Sequence, residues 1–215
     1  MKKILINLKD WLNYYENLDY AIQIEGMNIT VFPSLPYLYL YKNRGVRIGS
    51  QKISSFEEGP HTGSISANHL KDFDVEAVIL NHKECQIDSV SNLIAKIKNA
   101  QSHNIEVIIC VGSNEEKELS KIKEVLNETG TSNIVVAYEP FEEIALDEIV
   151  YRLNSIKENF KHYDLAYLYG GNVTYVNIGK FIKELNVDGY LISSHALDIE
   201  NLKRILTIVE TTENS

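Results

Sequence analysis

Three apolar segments of this chain end at side chains that can carry charge or move a proton. They are ILINLK at residues 4–9, ILNHKE at 79–84 and AYEP at 137–140. If each segment is a strand of a parallel barrel, the three carboxyl ends face one mouth, where the chemistry of such barrels is done. Lys9, His82 and Glu139 would then bring an ammonium, an imidazole and a carboxylate together. That combination can transfer a proton and stabilise the negative charge that forms.

The elements that would position these residues alternate between strand and helix. Eight runs rich in Val, Ile, Leu or Tyr are predicted strands: Lys3–Leu8, Asn28–Phe32, Val46–Ser50, Ala77–Leu80, Val107–Val111, Ile134–Tyr138, Leu165–Tyr169 and Gly189–Ile192. Helical spacing is found between most of them, over Ser89–Ala100, Glu115–Leu126, Asp147–Ile156 and Asn177–Leu185.

The strands are apolar throughout, which is typical of a parallel sheet covered by helices. Alternation over the whole length indicates an α/β protein, either a closed barrel or an open doubly wound sheet. Eight repeats favour a closed eight-stranded parallel (β/α)8 barrel, forming a single domain over residues 1–215. The first helix is not preceded by a glycine-rich dinucleotide fingerprint, so the open sheet has little support.

Composition limits the possible partners. The formal charge of −9 argues against nucleic acid as a partner, and no window approaches the roughly 20 apolar residues that cross a membrane. The apolar run near the start of the sequence is too short for a signal peptide. Cys85 and Cys110 lack metal-ligand spacing and are expected to be free thiols, which fits a reduced cytoplasm. We expect neither a metal site nor a cofactor.

Seven short blocks follow one another along nearly the whole chain. They are IGSQ (48–51), FEEGPHTGSIS (56–66), LNHKE (80–84), CVG (110–112), AYEP (137–140), YGGNV (169–173) and DGYL (188–191). Together they resemble the triosephosphate isomerase family, and residues 7–9 and 80–82 resemble its shorter, archaeal-type branch. The resemblance implies a TIM barrel enzyme of glycolysis and gluconeogenesis that interconverts glyceraldehyde 3-phosphate and dihydroxyacetone phosphate through an enediolate. It also implies a homodimer, with a tetramer possible.

The resemblance further implies a role for each residue at the mouth. Glu139 would take a proton from the carbon next to the substrate carbonyl. His82 would be a neutral electrophile, kept neutral by the start of a helix just after it. Lys9 would provide a fixed positive charge for the phosphate and the transition state, Asn7 would brace the site, and Glu84 would orient Lys9.

Two further features concern phosphate and assembly. Gly171, Ser193 and Ser194 resemble the positions whose backbone amides hold the substrate phosphate in the family. The segment Lys52–Ser66 is too long and too glycine-rich for a simple connector, and it resembles the family loop that enters the neighbouring subunit. Thr62 would be the threonine that packs near the partner's active site.

The chain departs from the family after the catalytic glutamate. Where the family has a lid ending in Ile-Gly-Thr-Gly, this chain has FEEIALD at 141–147, so Asp147 stands near where an amide would meet the phosphate. Asn172 replaces a serine and Cys85 replaces an arginine. Because glycines let amides approach an anion closely, the sequence predicts weaker phosphate binding and more phosphate elimination from the intermediate.

Three functions remain open at this point. The chain is a triosephosphate isomerase with a divergent lid, an isomerase of a related small sugar phosphate, or a non-catalytic barrel kept for binding. The third is the least favoured, because a barrel without activity has no physical reason to keep the four residues of the proton-transfer set: Asn7, Lys9, His82 and Glu139.

Overall fold

A closed barrel of eight parallel strands forms the centre of the computed structural model, which describes residues 2–213. The strands are β1 (Lys3–Asn7), β2 (Thr30–Phe32), β3 (Arg47–Ser50), β4 (Val75–Leu80), β5 (Glu106–Val111), β6 (Ile134–Tyr138), β7 (Ala166–Tyr169) and β8 (Gly189–Ile192). The barrel closes where β8 pairs with β1, with Leu191 opposite Leu5. The predicted α/β barrel is confirmed. Met1, Asn214 and Ser215, which belong to the predicted 1–215 domain, lie outside the described residues.

Helices surround the barrel. They are α1 (Tyr14–Gln23), α2 (Ala67–Asp72), α3 (Val90–Ser102), α4 (Glu116–Thr129), α5 (Leu146–Asn159), α6 (Ile178–Glu184) and α7 (Ile199–Glu213). Side chains cap several of them: the Ser66 and Ser89 hydroxyls accept the N–H of His69 and Asn92 at the starts of α2 and α3. After β2 the chain forms a 3-10 segment, Leu35–Leu40, in place of an α-helix.

Two layers of apolar side chains lie on opposite sides of the strands. The interior of the barrel is filled by Leu5, Phe32, Ala77, Ile79, Ile108, Cys110, Val135, Ala137, Leu168 and Leu191. The alternate residues of each strand pack against the helices. Because side chains alternate with a period of two, Asn7 follows Leu5 and Glu139 follows Ala137 on the interior side. The strand period therefore delivers both polar groups to the mouth.

Phe32 fills much of this interior and restricts what can stand beside it. A Cβ atom on Gly49 of β3 would lie 2.2 Å from the Phe32 ring. A side chain at position 49 would therefore displace the ring that supports the floor of the mouth.

The opposite end of the barrel carries a buried ion cluster. The Glu106 carboxylate, which is 7% exposed, accepts from Lys3 Nζ at 2.6 Å and from Arg47 Nη1 at 2.7 Å. Burial raises the pKa of the Glu106 carboxyl, but hydrogen bonds and charge from Lys3 and Arg47 outweigh burial and hold the pKa below its ordinary value. The cluster joins β1, β3 and β5.

Replacing Glu106 with glutamine should lower the free energy of unfolding by about 2–4 kcal/mol at neutral pH, because two cations lose their charge partner. Since the folded-state pKa is lowered, this stabilisation is present above the unfolded-state value near 4.5 and is lost as the pH falls through the folded-state pKa. The difference between wild type and Glu106→Gln in urea unfolding should therefore shrink in acid. Glu76→Gln is the matched control, since Glu76 is largely exposed and 3.5 Å from Arg47. Equal losses from both variants at neutral pH would contradict the prediction.

Candidate active site

A cavity of about 160 Å³ opens at the carboxyl end of the barrel. Six of the predicted site residues line it: Asn7, Lys9, His82, Glu139, Ser193 and Ser194. Gly171 does not; it lines an adjoining cavity of about 310 Å³ under the segment that follows Glu139. Gly170 lines the first cavity instead. The side chains predicted to act together thus line one cavity, whereas Gly171, predicted to bind phosphate through its amide, lines the adjoining one.

His82 and Glu139, the predicted electrophile and base, contact each other directly. His82 Nε2 lies 2.9 Å from Glu139 Oε2, and the two residues are 8% and 4% exposed. The backbone N–H of Glu84 points at His82 Nδ1 from 3.3 Å, while the Glu84 carboxylate is further away at 3.7 Å. Nδ1 therefore accepts a hydrogen bond, which places the ring proton on Nε2. The His82 Nε2–H therefore faces the Glu139 carboxylate.

The sequence suggested a helix N-terminus beside His82, and the structure has none there. Helix α3 begins only at Val90, and His82 is followed by a turn in which Cys85 N–H donates to the His82 carbonyl at 2.7 Å. The predicted helix start beside His82 was wrong. The Glu84 amide accounts for the tautomer instead, because it occupies Nδ1 with a donor.

A buried thiol holds the other oxygen of Glu139. Cys110 Sγ donates to Glu139 Oε1 at 3.0 Å. Burial, and next the charge of Glu139, raise the pKa of the Cys110 thiol well above its ordinary value, so it stays protonated and remains a donor. A Cβ atom on Gly170 would lie 2.6 Å from Glu139 Cγ, so glycine leaves room for the carboxylate. With both oxygens paired, the desolvated carboxylate is satisfied. Sequence reasoning missed Cys110, although it shares the interior face of β5 with Ile108.

Lys9 is held in a strained backbone conformation. Its φ of 49° lies in the left-handed region, which is uncommon for a side chain of this size. Asn7 Oδ1 accepts from the Lys9 N–H at 3.1 Å, and the Lys9 carbonyl accepts from Ser34 Oγ at 2.7 Å and Gln51 Nε2 at 2.8 Å. Strain maintained by several surrounding bonds is typical of functional positions. The predicted brace, Asn7, acts on the Lys9 backbone.

The Lys9 ammonium is paired with Glu84, the carboxylate named from the sequence. Lys9 Nζ donates to Glu84 Oε1. Partial burial raises the pKa of Glu84, but the hydrogen bond and charge of Lys9 lower it further, so the net pKa is below its ordinary value. Glu84 therefore stays ionised at neutral pH and keeps the ammonium at the edge of the cavity.

The loop after β8 presents a buried hydroxyl and an imidazole to the cavity. Ser193 Oγ is buried and has no hydrogen-bond partner within residues 2–213. Buried hydroxyls are normally paired, so an oxygen-rich ligand in the cavity would satisfy this group. His195, which the sequence reading did not single out, also lines the cavity. Its place directly after the end of β8 is the signal that could have identified it.

The segment after Glu139 is short and fixed at its base. It runs from Pro140 to Ala145, and α5 begins at Leu146. Lys83 Nζ donates to the Pro140 carbonyl at 2.9 Å, and the Phe141 ring covers Gly112, where a Cβ atom would lie 2.4 Å from it. The segment predicted to be the lid is thus a short connection between β6 and α5.

The sequence suggested that Asp147 lies near the bound phosphate, but the structure places it away from the cavity. It is exposed in the first turn of α5, where a carboxylate favours the helix N-terminus, and it does not line the 160 Å³ cavity. The carboxylate that reaches across the mouth is Glu143, whose Oε1 accepts from Asn172 Nδ2 at 2.9 Å. The predicted repulsion between Asp147 and a bound phosphate is therefore not supported by this geometry.

Residues 2–213 hold no group of three or more His, Cys, Asp or Glu side chains arranged to bind a metal ion. Among the helices within that range, none is long and apolar enough to cross a membrane. Cys85 is exposed and Cys110 is buried, and both are free thiols as predicted.

Comparison with known proteins identifies the family. Residues 2–210 match the family model described as triosephosphate isomerase. Triosephosphate isomerase of Ureaplasma parvum is 29% identical over 96% of this chain and 98% of its own. That of the Wolbachia of Brugia malayi is 33% identical over 83% of this chain and 81% of its own.

A solved structure agrees in fold. The crystal structure of triosephosphate isomerase from Bartonella henselae matches with a TM-score of 0.83 at 24% identity, covering 97% of this chain and 99% of that one. At this identity the match shows the architecture alone. The family match over nearly the whole sequence shows more, and the chain belongs to the triosephosphate isomerase family.

Proposed function

We propose that this protein interconverts glyceraldehyde 3-phosphate and dihydroxyacetone phosphate through an enediolate, as an enzyme of glycolysis and gluconeogenesis. The observation that carries the proposal is the 2.9 Å contact between His82 Nε2 and Glu139 Oε2, in a cavity that Lys9 also lines. It places a proton donor, a proton acceptor and a fixed cation around one small space.

The reaction follows from these contacts. Substrate displaces the bond between His82 and Glu139, so that the His82 N–H turns to the carbonyl oxygen and the carboxylate to the adjacent carbon. Glu139 takes the proton from that carbon as His82 stabilises the developing oxyanion. The hydroxyl proton of this first carbon then passes through His82 to the oxyanion, and Glu139 returns the carbon-bound proton to the neighbouring carbon, so that the carbonyl is now on the first carbon. Lys9 stabilises the negative charge of the substrate and of the transition state.

The two other functions named from the sequence have weaker support. An isomerase of a related small sugar phosphate would have to place its substrate in the same cavity of about 160 Å³, and none of the contacts described above favours such a substrate over a triose phosphate. A non-catalytic binding barrel would have no use for a lysine at φ 49° held by three hydrogen bonds. We therefore infer the triose phosphate as substrate.

A coupled assay of both triose phosphates tests the proposal. Turnover in both directions is expected. Methylglyoxal released in the same reaction measures phosphate elimination, which is expected to be higher than in relatives whose lids have the two glycines. Turnover of another small sugar phosphate but of neither triose phosphate would favour the related isomerase. Binding without any turnover would favour the non-catalytic barrel.

The protein is further proposed to be a homodimer through Lys52–Ser66, with a tetramer as the alternative. The neck of this loop is closed by a hydrogen bond of 2.8 Å from Ser54 N–H to the Ile65 carbonyl. Phe56 is 51% exposed and stacks on His61 at 4.2 Å, and Thr62 is exposed near the tip. An ordered loop with an exposed aromatic ring suits insertion into a partner.

Sedimentation at micromolar concentration should give the mass of two chains. Thr62→Arg should shift the protein toward one chain, because a buried interface would have to accept an unpaired charge. Lys52→Arg, a conservative change at an exposed position at the start of the loop, is the control. A wild-type protein that sediments as a single chain would contradict the dimer.

Two finer assignments belong to the same proposal. The motifs at 7–9 and 80–82 support the shorter, archaeal-type branch, although the relatives named above are bacterial. A cytoplasmic location is proposed with the glycolytic role, and two free thiols suit that reducing environment.

A further inference from the structure

Three side chains joined by hydrogen bonds cross the mouth of the cavity. His195 Nε2 lies 2.9 Å from Asn172 Oδ1, and Asn172 Nδ2 donates to Glu143 Oε1 at 2.9 Å. His195 follows β8, Asn172 follows β7, and Glu143 belongs to the short segment after β6. These hydrogen bonds therefore link three adjacent loops around the mouth.

The Glu143 carboxylate fixes the direction of both hydrogen bonds. An ionised carboxylate can only accept, so the amide NH2 of Asn172 must face Glu143 and its carbonyl oxygen must face His195. His195 therefore donates from Nε2. Asn172 is held in place by its own backbone, at φ 44° with its carbonyl accepting from Asn177 Nδ2 at 2.8 Å.

His195 stands where an anion would be held. It lines the same cavity as Lys9, Ser193 and Ser194, and Ser193 Oγ is the buried hydroxyl without a partner. The chain has a net charge of −9, so attraction for an anion must come from local groups such as these. The lid segment, FEEIAL before Asp147, contains no glycine whose amide could approach closely.

We propose that His195 is a ligand of the substrate phosphate and that Asn172 couples phosphate binding to the lid segment. This inference rests on the proposed function for the nature of the substrate. A phosphate oxygen is a stronger acceptor than an amide carbonyl, because a hydrogen bond to an ionised group is roughly twice as strong as a neutral one. Phosphate therefore replaces Asn172 Oδ1 as the acceptor of the hydrogen bond from His195.

The transfer has a consequence for the lid. Once His195 turns to the phosphate, Asn172 Oδ1 loses its donor and the amide is free to reorient, which weakens its bond to Glu143. Phosphate binding and the position of Glu143 are thus linked. His195 determines specificity for a phosphorylated substrate, and Asn172 is a positioning residue that competes with phosphate for His195.

Calorimetry with inorganic phosphate tests the ligand directly, without any need for turnover. His195→Ala should weaken phosphate binding by about 10-fold or more, the loss expected for a hydrogen bond to a charged group. Asn172→Ala should leave phosphate affinity unchanged or improve it, because a competitor for His195 has been removed. His162→Ala, at an exposed position outside the cavity lining, is the matched control and should bind phosphate like the wild type.

A specificity measurement separates this role from a structural one. In His195→Ala the ratio of kcat/KM for glyceraldehyde 3-phosphate to that for unphosphorylated glyceraldehyde should fall about 10-fold or more. If both values fall together and the ratio is unchanged, His195 supports the fold and the inference is overturned. Unchanged phosphate affinity in His195→Ala would also overturn it. Since phosphate binding is read without catalysis, a failure of the proposed isomerase activity would appear separately.

Discussion

Replacing Glu139 with glutamine is expected to lower kcat by about three orders of magnitude, while the barrel still forms. Glutamine keeps the shape of the side chain but cannot accept the carbon-bound proton. KM should change much less, because the residue acts on the reacting carbon rather than on the phosphate. The measurement is the coupled assay of triose phosphate interconversion, together with circular dichroism to show that the fold is retained.

Glu139→Gln should also unfold more easily than the wild type, because both oxygens of Glu139 accept hydrogen bonds. Cys110 donates to Oε1 and the His82 N–H donates to Oε2, so both oxygens act as acceptors. A glutamine has one oxygen, and its NH2 would face a donor, which costs about 1–3 kcal/mol when such a group is buried. A small loss in melting temperature is therefore expected beside the large loss in kcat.

Glu142→Gln is the control for this experiment. Glu142 lies in the segment after Glu139 but is exposed and lines only the adjoining cavity. Its replacement should leave kcat within about threefold of wild type, as surface changes usually have little effect. Near-native turnover in Glu139→Gln would show that another group removes the proton.

The sequence was sufficient for the barrel and for the residues that its strands deliver. Each apolar run marks where a strand ends, and side chains along a strand alternate between its two sides, so Asn7 and Glu139 could be placed at the mouth without a structure. The bounds of the predicted strands differ from those observed by at most two residues. These features depend on local patterns that the strands preserve.

Features set by contacts between distant segments could not be predicted in this way. The tautomer of His82 depends on where the Glu84 N–H points, and the sequence suggested a helix start that is not there. The link from His195 to Glu143 through Asn172 joins three loops whose relative positions no local pattern specifies.

The second large effect is expected at Lys9. Lys9→Met keeps the length and the apolar stem of the side chain but removes the ammonium. Because preorganised charge is often the largest single contribution to such catalysis, kcat/KM should fall by about 10³-fold. Methionine has no branch at Cβ, so the left-handed backbone at position 9 should be tolerated about as well as with lysine. Thermal unfolding should therefore change little.

Glu84→Gln separates the charge of Lys9 from its placement. The amide can still accept from Lys9 Nζ, so the ammonium remains but is held less firmly. We expect a loss of about 10-fold in kcat/KM, far smaller than for Lys9→Met, since a hydrogen bond to a neutral acceptor is roughly half as strong as one to a carboxylate. If Lys9→Met lost no more than Glu84→Gln, the fixed cation would have to lie elsewhere in the cavity. Lys83 and His195 line the same cavity and would be the next groups to replace.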